Sequence, residues 1–572
     1  MAVQEHFDTI VIGSGFGGSV TAYRHAEAGR QVLLLERGRR YPPGSFARAP
    51  REMHANFWDP SEGHLGLFQV WKFPGIDALV SAGLGGGSLI YANVLIRKDE
   101  QWFFRRSADG ATTDWPVTRA DLDPHYDRVE KVLAPQTFPF DHEPYASTPK
   151  TRAFKAAAEA AGLEWFLPKL AVSYADPGHD PVPGEPVHDA NGETTDNLHH
   201  RTRSTCRLCG ECDIGCNYGS KNTLDYNYLT LAEKNGAVLR DHCEVRTLSP
   251  AETGPGYVVG YVEHRDEDEG RRTLTNQLPV VEVSCDRLVL AAGTFGTNYL
   301  LLKNRDSFQE LSPALGRNFS GNGDFLGLVH DAHVTVNGKR APRVLAPSRG
   351  SVITSTIRLP DKADGGDGPG YYVQDGGYPG LADWFVEALN SGRLASRVAR
   401  FIEGELMARL HRSPNSDLDE RVEELIGDGH LSASVLPLLG MGLDTPGGAM
   451  TLRDGFLELD WDRVGSRSYF DRVQATMQLV ATELDAKFLP DPISHFHGKL
   501  ITVHAVGGCA MAHDASGGVV DKYGEVFGYP GFAIADGSVM PGPVGPNPSF
   551  TIAALADRFA DHQLARPIVP SP

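Results

Sequence analysis

The stretch Asp8-Thr9-Ile10-Val11-Ile12-Gly13-Ser14-Gly15-Phe16-Gly17-Gly18 decides the fold. A short β-rich run ends on Gly-x-Gly-x-x-Gly, and an Ala-rich helical stretch follows to about Ala28. Gln31–Leu35 then reads as a second strand, ending at Glu36. Each residue type has a task in a dinucleotide site. Gly13 makes the turn, Gly15 admits the pyrophosphate, and Gly18 lets the helix pack closely. The helix start offers N–H groups and positive dipole to phosphates, and Glu36 would accept from ribose hydroxyls. A structural glycine turn in another α/β unit is the plainer alternative. Choosing flavin over nicotinamide needs evidence from elsewhere in the chain.

The chain has 572 residues, enough for two to four domains around a large core. Its composition, 41% apolar and 22% charged, is that of a globular protein. A net charge of −19 argues against nucleic acid or an anionic membrane as a standing partner. No apolar run reaches the ~18 residues of a spanning helix; the longest, Val435 to Leu443, is broken by glycines. The strand-like start by Phe7 leaves no room for a signal peptide, so a cytoplasmic location is expected. There are 7 cysteines, with Cys206, Cys209, Cys212 and Cys216 crowded together, which speaks against a secreted disulfide scaffold.

Further motifs follow in order. Ser81-Ala82-Gly83-Leu84-Gly85-Gly86-Gly87-Ser88-Leu89-Ile90-Tyr91 is a second glycine-rich loop, and Arg287–Thr297 is a buried strand running into a turn and helix. His504-Ala505-Val506-Gly507-Gly508-Cys509, Phe532–Ser538 and Pro541–Pro548 lie near the end. Together with the first motif these resemble the glucose–methanol–choline family of FAD oxidoreductases across nearly the whole chain, and within it the cholesterol-oxidase-like branch. The resemblance implies an α/β protein in which a discontinuous Rossmann-type FAD domain (1–40, 81–100, 220–322 and 520–572) is interleaved with an α+β substrate domain. The latter (41–80, 101–219 and 323–519) would be built on a mixed or antiparallel sheet, to which the hairpin-like Gly447–Trp461, turning at Asp454-Gly455, is assigned. Arg265–Gly270 and Asp361–Gly370 read as exposed hairpin tips or loops.

Oxidising an alcohol at a flavin requires loss of the hydroxyl proton and hydride delivery to the flavin N5. By resemblance, His504 is the base or hydroxyl-orienting group and Asn547 its polar partner; imidazole suits the role because its unperturbed pKa is near 6.5. The resemblance also implies cofactor contacts from Gly13, Ser14, Gly15, Gly18 and Glu36, and from Gly86, Gly87, Ser88 and Asn93. Val245, Gly293, Asp536 and Pro548 complete that set. Tyr91 stands where the cholesterol-oxidase type has Asn, with Asn93 two positions on. That type carries a further carboxylate near the flavin; Asp375 is a candidate for it, with a plain loop aspartate as the ordinary reading. His54 and His64 lie upstream of the second glycine loop without an attachment motif, so the FAD is expected to be non-covalent.

Cys206-x₂-Cys209-x₂-Cys212-x₃-Cys216 has the spacing of a bacterial ferredoxin run, although Asn217 replaces the usual Pro. A [4Fe-4S] or [3Fe-4S] cluster would use these thiols, or three of them plus Cys243 or Cys285. Zinc and a metal-free cysteine-rich loop are the other readings. A cluster would lead electrons to an external acceptor; without one, O₂ is the acceptor. Leu394–Leu410 places apolar residues at helical spacing, read as a helix packed on its own domain or as an interfacial lid in transient contact with a membrane surface, with Trp384-Phe385 just upstream. Three functions follow: oxidation of a sterol-like or other hydrophobic alcohol, dehydrogenation of a sugar or polar alcohol through a cluster, and electron transfer without an alcohol substrate.

Overall fold

A computed structural model describes residues 5–48, 56–107, 109–188, 192–362, 368–378, 434–490 and 499–566. The opening stretch forms β1 (Glu5–Ile12), α1 (Phe16–Glu27) and β2 (Val32–Leu35). Ile10, Val11 and Ile12 are all buried, as a parallel strand covered on both faces requires. β1 lies between β2 and β3 (Val281–Leu290) and is parallel to both. The seven-stranded sheet continues beyond β2 to Val238–Arg240, and beyond β3 to the antiparallel strands Tyr257–Glu263 and Cys243–Pro250. β3 divides one edge between two partners. Its first half pairs with Tyr257–Tyr261, and Leu288–Leu290 pair in parallel with Phe532–Ile534. The chain then turns into α2 (Gly293–Lys303) and, at its end, α3 (Ser549–Leu564), which packs on α1. Segments from the start, middle and end of the sequence thus share one sheet and one apolar core.

A second, six-stranded sheet is antiparallel throughout. At its centre are β4 (Phe325–His330), β5 (Tyr371–Asp375) and β6 (Leu436–Gly442), with β6 between the other two. The helices Pro149–Ala160 and Arg467–Glu483 pack on this sheet. Tyr469, Phe470, Val473, Met477, Val480 and Ala481 form the buried stripe of the latter, at the spacing of one helix face. The α/β class with mixed sheets therefore holds.

Gly448–Arg453 and Phe456–Asp460 form the expected hairpin. Asp454 and Gly455 both have positive φ (50° and 83°), the geometry that a two-residue type I′ turn demands. The hairpin does not join the six-stranded sheet, however. It pairs with Arg317–Ser320, which also carries Val506–Gly508, in a separate four-stranded sheet. Its two strands are short and alternate between buried and exposed, so pattern alone could not name the neighbour. No helix among the described residues is long and apolar enough to cross a membrane. His54, Trp384-Phe385 and Leu394–Leu410 lie outside the described residues.

Candidate active site

A cavity of about 2520 Å³ runs from the C-terminal ends of β1 and β3 to the six-stranded sheet. Small-molecule sites are typically about 300–1,000 Å³, so this one has room for a large cofactor together with a bulky substrate. Gly13, Ser14, Gly15, Glu36, Gly86, Gly87, Val245, Gly293, Asp536, Pro548, His504 and Asn547 all line it.

At one end the wall is backbone. Gly15 caps the start of α1, and a Cβ placed there, at Gly87 or at Gly293 would meet nothing within 4 Å. Gly18, by contrast, faces inward: a Cβ there would lie 1.9 Å from the Gly13 oxygen, so the helix can approach the turn only with glycine. The Glu36 carboxylate accepts from Ser14 N–H at 3.0 Å, Ser14 Oγ–H at 2.6 Å and Gly38 N–H at 2.9 Å. Asp536 accepts from Gly293 N–H at 3.0 Å and Ser538 N–H at 2.9 Å, pinning the start of α2. Burial raises both carboxyls, and these hydrogen bonds oppose the shift. Ser88 serves the fold: its hydroxyl donates to Gly85 O at 2.7 Å and accepts from Leu224 N–H at 3.1 Å. Asn93, at φ 71°, has a buried side-chain amide with neither polar atom bonded among the described residues. Asn93, Ser88 and Gly18, expected as cofactor contacts, do not line the cavity, whereas open backbone at three glycines and a helix N-terminus fit an FAD, which Glu36 and Val245 would meet at the adenosine end.

At the other end the groups are side chains. His504 Nδ1 lies 2.7 Å from Asp324 Oδ1, and its Nε2 lies 3.3 Å from Asn547 Nδ2. Asp324 Oδ2 accepts from Thr502 Oγ1–H and from Val503 N–H, each at 2.9 Å. An ionised carboxylate only accepts, so His504 carries its proton on Nδ1 and presents the Nε2 lone pair to the cavity. Gln374 Nε2–H donates to Asn547 Oδ1 at 2.9 Å, which turns the Asn547 amide N–H toward His504. The loop before Asn547 is clamped as well. Asn322 Oδ1 accepts from Val544 N–H at 2.7 Å, and the buried Lys98 ammonium donates to Pro543 O and Val544 O, both at 2.9 Å.

Asp375 corrects the expectation of a loop aspartate. It ends β5, is fully buried, and pairs with the equally buried Lys150 at 3.5 Å. It accepts from Thr354 N–H at 2.9 Å, Ser355 N–H at 2.7 Å and Thr354 Oγ1–H, so it is part of the frame. The Asp-Gly-Gly there suggested a turn; Asp375 is instead paired with Leu438 of β6, which is far away in sequence.

Cys206, Cys209, Cys212 and Cys216 line one small separate cavity, with Lys221 beside them. Burial pushes Cys209 up to about 12 and also raises Cys206 and Cys212. Among the described residues no three thiol sulfurs lie within 4.8 Å of one another. Zinc–thiolate bonds of about 2.3 Å at tetrahedral angles put sulfurs about 3.8 Å apart, so this arrangement is too open for zinc. Cys243 and Cys285 belong to the seven-stranded sheet and do not line this cavity. Lys221 Nζ–H donates to Leu89 O at 3.0 Å, Tyr91 O at 2.8 Å and Cys212 O at 2.8 Å, joining the cysteine loop to the second glycine loop.

Sequence reading missed Asp324, Gln374, Asn322, Lys98 and Asp213. Only Asn322 and Asp324 carried a signal, the turn-like Ser320-Gly321-Asn322-Gly323-Asp324. Asp213 lines the main cavity; burial raises its carboxyl to about 6, with Lys221 and Lys150 opposing the shift.

Known proteins identify the family. The GMC oxidoreductase family model matches residues 469–556, and the NAD(P)-binding Rossmann-like domain model matches 11–51. A cholesterol oxidase from Mycobacterium tuberculosis is 30% identical over 97% of this chain and 90% of its own length. A cholesterol oxidase from Acinetobacter baumannii is 27% identical over 96% and 93%. The crystal structure of pyridoxine 4-oxidase from Mesorbium loti superposes with a TM-score of 0.57 at 16% identity, covering 98% of this chain and 99% of that one, which speaks for the fold. With near-complete coverage at that identity, the chain belongs to the GMC oxidoreductase family, on its cholesterol-oxidase-like side, and is an FAD oxidoreductase acting on CH–OH donors.

Proposed function

We propose that the chain oxidises a bulky, mainly apolar alcohol, of the sterol-like kind, to the carbonyl. The observation that carries this reading is the Asp324–His504–Asn547 arrangement facing a large cavity. Leu326, Val352, Ile353, Pro437, Leu438 and Leu439 give that end of the cavity an apolar wall. A hydroxyl seated between His504 and Asn547 would donate to Nε2 and accept from Asn547 Nδ2. As the proton moves to Nε2, Asp324 stabilises the imidazolium through Nδ1–H. Bound FAD supplies the two-electron acceptor for the carbinol carbon. Lys98 and Asn322 hold the Asn547 loop, so little reorganisation is left for the chemical step.

An anaerobic panel of alcohols, read by bleaching of the bound flavin, tests the substrate class. His504→Gln is expected to keep its flavin and lose about 10²–10⁴-fold in kcat; near-normal turnover would sink the assignment.

A second reading, a polar-alcohol dehydrogenase with an iron–sulfur relay, is favoured by one observation: four cysteines share a cavity that Lys221 ties to the loop lining the cofactor cavity. Burial raises Cys206, Cys209 and Cys212, which favours their thiol form, so loading a cluster would release protons. Iron and acid-labile sulfide in anaerobically prepared protein, set beside O₂ consumption, decide between relay and oxidase.

A further inference from the structure

Asp213 is a carboxylate of the main cavity that the chemistry above does not use. It lines that cavity, and Lys221 and Lys150 act on it as nearby charges rather than as hydrogen-bond donors. A carboxylate offers about four acceptor positions, and Asp213 is half-buried, so these are open to whatever fills the cavity. Asp536, Glu36, Asp324 and Asp375 are all met by the protein's own donors. Asp213 stands apart from them.

Its place points to the substrate. Cys212, the preceding residue, takes the Val352 N–H on its sulfur and offers its carbonyl to Lys221, whose ammonium also holds Tyr91 O. Val352, Ile353, Gly376 and Gly377 line the same stretch of cavity. Gly376 and Gly377 follow directly on β5, whose Gln374 holds Asn547 and whose Asp375 pairs with Lys150. Lys150, whose charge reaches Asp213, donates to Val352 O at 2.5 Å and Gly376 O at 3.2 Å, which sets Asp213 near the apolar residues around the end of β5.

Charge balance narrows the ligand. Lys221 and Lys150 are the cations whose fields reach Asp213, and Lys150 also pairs with Asp375. Asp225, which also acts on Lys221, is met by His199, so an added ammonium would have to be desolvated beside two cations already in place. A neutral donor would not. We propose that Asp213 is a substrate-binding residue accepting a hydrogen bond from a second hydroxyl, so that the preferred substrate is a diol on an apolar frame. This rests on the alcohol-oxidation reading.

The test compares alcohols matched in body on the flavin-loaded enzyme. A steroid diol is set against the corresponding mono-ol, and α,ω-alkanediols of graded length against the alkanol and the ω-amino alcohol of equal length. Wild type is expected to favour the best diol by about 10- to 100-fold in kcat/KM, the range for a hydrogen bond to a charged group. Asp213→Leu should bring that ratio toward one, and Asp213→Asn, which keeps the volume, to an intermediate value. Both alcohols are measured on one preparation, so losses of folding or flavin cancel from the ratio. A wild-type ratio near one, a ratio unchanged in both variants, or preference for the amino alcohol would overturn the proposal. If no alcohol bleaches the wild-type flavin, the alcohol-oxidation reading itself fails and this inference falls with it.

Discussion

At the cofactor end the cavity wall is main chain: Gly15, Gly87 and Gly293 turn bare backbone toward it, and Glu36 and Asp536 are bonded by neighbouring N–H groups. At the substrate end the wall carries side chains brought from far apart, with Asp324 and His504 180 residues apart and Gln374 and Asn547 separated by 173. The first end depends on close approach and the second on relayed hydrogen bonds. Substitutions should therefore fail differently at the two ends: through folding and cofactor retention at one, and through turnover at the other.

The largest effect is expected from Gly17→Val. A Cβ at Gly17 would sit 1.4 Å from the Ala535 oxygen, where α1 meets the Phe532–Ile534 strand. Backbone must move there, so more than about 3 kcal/mol of stability and most of the bound flavin should be lost. Gly15→Ala is the contrasting change, since its Cβ meets no protein atom within 4 Å. The fold should survive while flavin affinity falls by about tenfold. Thermal melts and flavin content measured together separate the two; equal behaviour would erase the distinction between packing and cofactor glycines.

Next in size is Lys150→Met. Removing one partner of a buried pair leaves Asp375 uncompensated and should cost about 3–5 kcal/mol, read by denaturant unfolding. Asp375→Asn sharpens the point. If it abolished turnover while leaving stability intact, Asp375 would belong with the reacting groups after all.

The same contrast explains what the sequence could show. The Gly13–Gly18 turn, both flanking strands and the Asp454-Gly455 hairpin were legible because their determinants lie within a few residues of one another. His504 and Asn547 were legible only through their motifs. Asp324, Gln374 and Lys98 were not, because each acts on a residue more than a hundred positions away. Asp375 was misread for a related reason: its local Asp-Gly-Gly looks like a turn, and Lys150 is invisible from there.

Asp444 offers a pH test of the turn that carries the relay. Its carboxylate accepts from Gly321 N–H at 3.1 Å and from Ser320 Oγ–H. Burial chiefly raises it to about 6, and the nearby charge of Asp324 adds to the rise. A raised acid binds its proton more tightly in the folded state. Its contribution is therefore full below the unfolded value of about 4 and is lost as pH climbs through 6, at most about 3 kcal/mol. Asp444→Asn should flatten that slope between pH 4 and 7 in unfolding measurements; an unchanged slope would assign it to other groups.

Asp324→Asn should have the most specific effect. The shape is kept, but an amide nitrogen facing Nδ1 would favour the tautomer with its proton on Nε2, removing the acceptor that a substrate hydroxyl needs. A fall of about 100-fold in kcat, about 2.7 kcal/mol in barrier, is expected, with flavin content and KM held. Loss of the Asp324 charge should also lower Asp444, so the slope between pH 4 and 7 should shrink in this variant as well. A kcat loss without that change would leave Asp324 as the orienter of His504 but uncouple it from the turn. A change in slope with normal kcat would make Asp324 a structural residue, and the substrate end would then resemble the cofactor end more than its hydrogen bonds suggest.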